Sequence, residues 1–400
     1  MNLFKPYLIV EINDNNFIFL VVEYNENLDF KVILSRKVES LGTEKKRVTD
    51  IDAVYKILKE NVQQIEKDIN FTFKYAFLIN DQEDFNCINV SGYKKLGGSQ
   101  ISNEDISYIL NNIKKLINDN EQKETLIHIF NSSFVLDNKN LNKIPIGLHG
   151  DFYNQQLTSF SLPKNDIKNS KIAFNKCNIE IERIIFKPFI KVLNRIKNYN
   201  IKDDHFFMID LGLTKSSISI FENLSFKYYE SFNFGTNVVS TDVSKVCALK
   251  LDNVFNFFKE INFNQVNKED ENFLSEKFFV GENFRKISLS HIKNISIARI
   301  EEIIELIFEK NINIKNLKEG KKSIYFFLED HNFFKNFEND LKSKISINYS
   351  SQFHKNPQNE DINICMSSAD LIAKGWEREA IPIIQTKKSI ISRIFSKVFH

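Results

Sequence analysis

The chain has 400 residues, with 54 Lys and Arg against 52 Asp and Glu, for a formal charge of +2. That balance speaks against a nucleic-acid binder, which carries a marked basic excess, and a hydrophobic fraction of 42% with 38 Phe excludes wholesale disorder. Only 11 residues are glycine, where about 7%, or roughly 28, is usual; collagen-like and Gly-linker architectures are excluded, and glycine-rich phosphate loops start at a disadvantage.

Residues 7–12 and 16–23 read as strands joined by a polar Asn/Asp turn, a hairpin signal. Residues 28–38 read as a third strand. Asp50 is a candidate N-cap for a helix reaching Ile69, with Ile51, Val54, Ile57, Leu58, Val62 and Ile65 at helical spacing. A strand follows at 75–79. From 81 to 162 the texture changes to a small α+β insert. Ser102 opens its helix with Asp105 three positions on, a weak capping box. Strands are expected at 125–134 and 151–161, around the turn-rich Lys143–Gly150.

Residues 166–200 read as helix, strand (181–186) and helix. A second core begins at 204–210, and 218–221 with 226–232 repeat the opening hairpin. That recurrence predicts two related half-domains. Residues 252–319 read as largely helical and charged, 321–328 and 361–366 as strands with a helix between, and 380–388 as a short tether.

Cys87, Cys177, Cys247 and Cys365 lie 70 or more residues apart, so neither a disulfide framework nor a zinc spacing is present, and no metal is expected. No stretch has the form of a signal peptide, and none approaches the roughly 18 apolar residues of a spanning helix. A reducing cytoplasm is the expected setting.

Three segments carry candidate chemistry. A hairpin led by an acidic strand end can cradle phosphate between backbone N–H groups when its turn is rich in Gly, Ser and Thr. The candidates are Asn13 and Asp14 in the first turn, and Asp210, Gly212, Thr214 and Ser216 in the second. Gly212 is the one glycine, and Asp14 would bring negative charge toward phosphate, so two ordinary turns in a degenerate pocket are the favoured reading. The second segment is the C-terminus. At 3.6 residues per turn, Ile390, Ile391, Ile394, Phe395, Val398 and Phe399 fall on one half of a helical wheel, with Arg393, Lys397 and the serines on the other. Such a helix is about 18 Å long, too short to span a bilayer. Its purely cationic polar face fits the interface of an anionic membrane, which we favour over packing on its own domain. The third is Ser296–Ile307, whose isoleucines face inward while Arg299 and Glu302, three apart, can pair with each other or with a ligand. Taken alone, a solvated ion pair is the better reading of those two.

Together these pieces resemble the FtsA family of bacterial cell-division proteins, over nearly the whole chain. Pro145-Ile-Gly-Leu-His-Gly150 is similar to the family's P-[IV]-G-[LM]-x-G, and Phe234–Val243 to its G-x-x-x-V-T-x-D-[IV]. Ile179–Phe186, the Arg-x-x-Glu of Ser296–Ile303, the insert and the terminal helix add to the likeness. The resemblance implies an actin-like (ribonuclease-H-like), two-lobed α/β fold with an FtsA-type α+β insert and a C-terminal amphipathic helix. Its expected parts are core half 1 at 1–80 and 163–202, the insert at 81–162, core half 2 at 203–232 and 320–380, a helical subdomain at 233–319, and the tail at 381–400. It also implies a non-enzymatic adaptor, peripheral on the cytoplasmic face of the inner membrane. Its partners would be anionic lipid, further copies of itself, and the C-terminal peptide of FtsZ, met by Arg299 and Glu302 with Arg285, Lys286 and Lys293 nearby. The chain departs from the family where nucleotide would bind. The second turn, D-I-G-x-G-T in the family, is Asp210-Leu-Gly-Leu-Thr-Lys, and the family's T-G-G falls on Leu328-Glu329-Asp330. No cofactor is therefore expected, ATP with Mg entering only if the damaged pocket still binds. An active actin-like ATPase and a pilus-type actin-like scaffold are the alternatives.

Overall fold

The computed structural model describes residues 5–266, 272–318, 322–330, 336–345, 349–356 and 360–380. They form two compact units. The first runs through Asp204 and adds Phe221–Lys227 and the described residues from 360 onward. The second holds His205–Ile220 and the described residues from Tyr228 to 356.

The first unit opens with β1 (Pro6–Ile12), β2 (Asn16–Tyr24) and β3 (Phe30–Glu39), followed by the short pair β4 (Thr43–Glu44) and β5 (Arg47–Val48). Helix α1 (Ile51–Ile69) starts where its cap allows: the Asp50 carboxylate accepts the N–H groups of Asp52 and Ala53, each at 3.0 Å. It stops at Asn70, left-handed at φ 52°, a conformation Asn tolerates better than most residues. Val54, Leu58, Val62 and Ile65 face the sheet, as their spacing predicts. Then come β6 (Tyr75–Asn80), β7 (Asn86–Lys95), α2 (Asn103–Asn120), β8 (Glu124–Leu136), β9 (Lys139–Leu141), β10 (Phe152–Pro163), α3 (Lys164–Lys176), β11 (Glu180–Phe186) and α4 (Lys187–Asn198). The capping box at α2 is complete: Ser102 N–H donates to Asp105, and Asp105 N–H donates back to the Ser102 hydroxyl.

The second unit carries β12 (His205–Leu211), the greater part of β13 (Ser216–Glu222) and of β14 (Ser225–Phe232), whose shared turn Phe221–Lys227 is counted with the first unit, then α5 (Asn237–Val246), α6 (Leu251–Glu260), α7 (Leu289–Ile304), β15 (Ser323–Leu328), α8 (Glu338–Ile345) and β16 (Ser350–Lys355). The chain then returns to the first unit as α9 (Glu360–Lys374) and β17 (Glu379–Ala380).

The predicted repetition is visible in the sheets. The first is ordered β11-β6-β1-β2-β3, with β6 and β11 parallel to their neighbours and β1–β2–β3 a meander. The second is ordered β14-β13-β12-β15-β16, with β15 and β16 again parallel. With the strands of each sheet numbered in chain order, both sheets read third, second, first, fourth, fifth. Each rests on its own buried core, one led by Leu8, Val10, Phe17 and Phe19, the other by Phe207, Ile209, Ile218 and Ile220. The insert has a third core, where α2 packs its isoleucines on a sheet ordered β17-β8-β10-β7. Both glycines of Pro145–Gly150 have a physical reason. Gly147 has φ 83°, with Leu148 N–H returning to Pro145 O at 3.2 Å, and a Cβ on Gly150 would meet Leu136 at 2.3 Å.

One expectation is corrected. Residues 361–366 are not a strand of the second half; they lie in α9, packed in the first unit. A short window reads Ile362, Ile364 and Met366 as alternation, but Ile364, Cys365, Ser368, Ala369 and Ile372 form one buried helical stripe, legible only over the whole segment. The last strand of the second sheet is instead β16, Ser-Ser-Gln-Phe-His-Lys, whose polar sequence is that of an edge. Strand β7, at the free edge of the insert sheet, also escapes a hydrophobicity reading.

Candidate functional site

At the first turn, the backbone is closed by its own side chains. Asn13 is buried, and its Oδ1 accepts N–H groups from Asn15 and Asn16, each at 2.9 Å, while Asn13 N–H donates to Asn16 O at 3.2 Å. Asp14 is exposed and accepts Lys46 N–H at 2.7 Å. Behind the turn lies a charged cluster that the sequence did not reveal. Glu11, 0% exposed near the end of β1, accepts from Lys187 Nζ at 2.6 Å and from Asn13 Nδ2 at 3.1 Å. The Lys187 ammonium also donates to Asp361 at 3.0 Å and lies 4.0 Å from Asp81. Burial alone would depress the Lys187 pKa, but Glu11, Asp81 and Asp361 reverse that and hold it well above the ordinary 10.5. Burial acts against the Asp361 charge too; Lys187 and Lys37 prevail and hold its carboxyl below the ordinary range. Burial, aided by Glu11, pushes the Cys365 thiol far above the ordinary range, so it is not a nucleophile. A Glu inside an apolar strand and a Lys beside Pro188 at the start of a helix were the available signals; that they pair across 176 positions was not legible.

At the second turn, Asp210 is buried near the end of β12, in register with Phe327 of β15. Gly212 N–H donates to Lys215 O at 3.0 Å, and Leu213 N–H donates to the Glu329 carboxylate at 2.7 Å. Thr214 is exposed. Ser216 is buried, and its hydroxyl has no hydrogen-bond partner among the described residues. Glu329 and Asp330 follow β15 directly, and Glu329 N–H donates to Leu211 O at 3.1 Å. The turn is backed by the entry to α5, where Thr236 and Asn237 N–H groups donate to Gly212 O and Leu213 O at 2.9 Å. This explains the glycine of Phe234–Val243: a Cβ on Gly235 would sit 2.4 Å from Gly212 O and 2.5 Å from Leu213 O. Because both obstacles are backbone, Gly235→Ala is expected to destabilise the second unit by about 1–3 kcal/mol, read as a lower urea midpoint.

Both turns are closed by oxygens of the chain itself. The N–H groups of Asn15, Asn16 and Leu213 are given to side-chain oxygens. The acceptor at Leu213 is a carboxylate, which repels phosphate. Among the described residues no group of three His, Cys, Asp or Glu side chains is arranged to hold a metal ion.

In the helical part of the second unit, Arg299 on α7 joins two segments singled out from sequence. Its Nε donates to Asp242 of α5, within Phe234–Val243, and its Nη1 to Glu302 at 2.7 Å. Arg285 donates to Ala248 O at 2.5 Å, Lys293 to Val266 O at 3.1 Å, and the Lys286 ammonium lies 4.9 Å from the Phe273 ring centre. The tail residues Ile390, Ile391, Arg393, Ile394, Phe395, Lys397, Val398 and Phe399 lie outside the described residues. Among the described residues no helix is long and apolar enough to cross a membrane.

No protein-family model matches the chain. It is similar to cell division protein FtsA of Buchnera aphidicola subsp. Schizaphis graminum, 24% identical over 237 residues, which is 59% of this chain and 56% of that protein. It is also similar to FtsA of Buchnera aphidicola subsp. Baizongia pistaciae, 22% identical over 330 residues, 79% of this chain and 76% of that one. Among solved structures, the PilM–PilN type IV pilus biogenesis complex holds a chain that matches with a TM-score of 0.51 at 9% identity, covering 91% of this chain and 97% of that one. The fold is thus the actin-like α/β fold, and the sequence it carries is similar to that of FtsA cell-division proteins.

Proposed function

We propose that this chain is a cell-division adaptor of the FtsA kind, which holds FtsZ to the cytoplasmic face of the inner membrane and gains avidity by self-association. It does so as a scaffold, not as an enzyme. The tail lies in the anionic leaflet with Ile390, Ile394 and Phe395 inserted, and a single copy holds reversibly while linked copies hold far longer. The observation that carries the reading is the meeting of Arg299, Asp242 and Glu302, since two segments chosen from sequence for their family likeness converge on one side-chain cluster. Phe273, Val280 and Phe284, exposed in the same unit, with Arg285 and Lys286 beside them, suit a short peptide with apolar and acidic residues. A pilus-type scaffold is the second reading, favoured by the likeness to the PilM–PilN complex.

The test is flotation with anionic vesicles, in the presence of FtsZ or of its C-terminal peptide. The full chain is expected to float and carry FtsZ with it, and a chain truncated after Thr386 to remain below. Arg299→Glu is expected to float normally yet bind the peptide about tenfold more weakly, about 1.4 kcal/mol. Full chain and truncation behaving alike would end the membrane assignment. Unchanged peptide affinity in Arg299→Glu would remove the site, and no peptide binding at all would favour the pilus-type reading.

A further inference from the structure

Both hairpin turns are ones in which an external polyphosphate could be expected, and at both the structure supplies an internal group. In the first unit the group is twofold. Asn13 Oδ1 takes two N–H groups of the turn, at Asn15 and Asn16. The Lys187 ammonium meanwhile sits among Glu11, Asp81 and Asp361, neutralising carboxylates that would otherwise call for a bound cation. In the second unit the Glu329 carboxylate takes Leu213 N–H at 2.7 Å, and Gly212 N–H is spent on Lys215 O. An ammonium thus stands behind one turn and a carboxylate caps the other, each delivered by a side chain from elsewhere in its own unit.

We infer that the chain is its own ligand at these turns: Asn13 with Lys187 in the first unit, and Glu329 in the second, replace a nucleoside triphosphate and its metal. The folded state is then complete without nucleotide, and the scaffold has no binding and release cycle to time it. A polyphosphate entering the second turn must first displace Glu329 and then lie against two adjacent carboxylates, Glu329 and Asp330. The buried Ser216 hydroxyl has no partner among the described residues, and a single neutral donor does not offset that repulsion. This inference goes beyond the adaptor reading and does not depend on FtsZ or on lipid.

The experiment uses the full chain with MgATP as probe and has two readouts. Titration calorimetry with thermal melting is expected to show no saturable heat and no rise in melting temperature on adding MgATP. Amide exchange is expected to be about tenfold faster at Leu213 in Glu329→Ala than in the native chain, and unaltered at Asn15 and Asn16. Glu329→Gln, which keeps an acceptor oxygen, should retain most of the protection. Saturable MgATP binding that raises the melting temperature would overturn the inference. So would Leu213 exchange that is indifferent to Glu329→Ala, since the carboxylate would then not be the group that closes the turn. Glu329 is exposed, so folding of these variants is not at risk.

Discussion

Lys187→Met is expected to lower the unfolding free energy by about 3–5 kcal/mol, because it removes the ammonium and leaves the Glu11 carboxyl fully buried without its cation. Methionine nearly matches the lysine stem in volume, so the loss reads charge, not a cavity. Asn13 Nδ2 and the Cys365 thiol remain on the Glu11 carboxylate, but neither carries positive charge. Two controls separate the ion pair from general damage. Lys187→Met with Glu11→Gln should cost less than the sum of the single changes, since the orphaned carboxyl is then gone. The pH profile is the other. Lys187 has a raised folded pKa, so its contribution is complete below about 10.5 and is lost only as pH rises through the folded value. Asp361 has a depressed one, so its contribution is complete above about 3.8 and is lost as pH falls through the folded value. Between those limits the native cluster is flat, and its contribution to the native chain's stability in urea should be the same at roughly pH 6 and pH 9. A Lys187→Met deficit under about 1 kcal/mol would mean that Glu11 is satisfied without Lys187.

The fold was largely legible because its determinants are local. Asp50 and the apolar spacing behind it specify α1 within twenty-odd positions, and the Asn-rich turn after Ile12 specifies the hairpin. The recurrence of that hairpin at residue 206 suggested the half-domain repeat that the matching strand orders display. What escaped depends on partners. Strands β7 and β16 lie at sheet edges, where one-sided burial leaves little hydrophobic signal. Helix α9 hid its stripe from a short window. At the candidate site, the damage to the turns was readable from the missing glycines. The closing groups were not: Leu213 and Glu329 are 116 positions apart, and Glu11 and Lys187 are 176 apart. Arg299 and Glu302 pair with each other, one of the two outcomes their spacing allowed, while Asp242 needed the packing of α5 on α7.

The root of the tail is held by a second buried ionic group, and Glu379→Gln is expected to loosen it at a comparable cost, about 3–5 kcal/mol. Glu379, 1% exposed, is one of two residues of β17 that pair with β8, and it is the partner of both His128 and Arg183. His128 Nδ1 donates to Glu379 at 2.5 Å, and its Nε2 accepts Phe186 N–H at 3.0 Å, so the imidazole is neutral and fixed in one tautomer. The amide of glutamine would leave the Arg183 guanidinium buried without a counter-charge. Its NH2 would also take the position of Glu379 Oε2 or Oε1, and Oε2 has no partner among the described residues. Acid should act in the same direction. Burial pulls the His128 pKa below the ordinary 6.5, and Glu379 does not reverse it. Burial opposes the Glu379 charge, but Arg183 and His128 hold its carboxyl below the ordinary 4.5. Both folded values are depressed, so the contribution is whole above about pH 6.5, erodes below that as His128 is forced to charge, and is lost as pH falls through the folded value of Glu379. His128→Asn, which keeps a donor toward Glu379, should flatten the slope between roughly pH 6.5 and 5. Amide exchange locates the effect. In Glu379→Gln, protection should fall first at the amide of position 379 and at Asn131, whose N–H donates to Arg378 O at 2.7 Å, before the rest of β8 opens. On the adaptor reading, the load from a membrane-bound tail enters the domain here, through two ladder pairs and one ionic triad. Glu379→Gln should therefore still float with vesicles, yet lose its folded insert at lower urea than the native chain. A native midpoint and native exchange in this variant would show that β17 is held by its backbone alone.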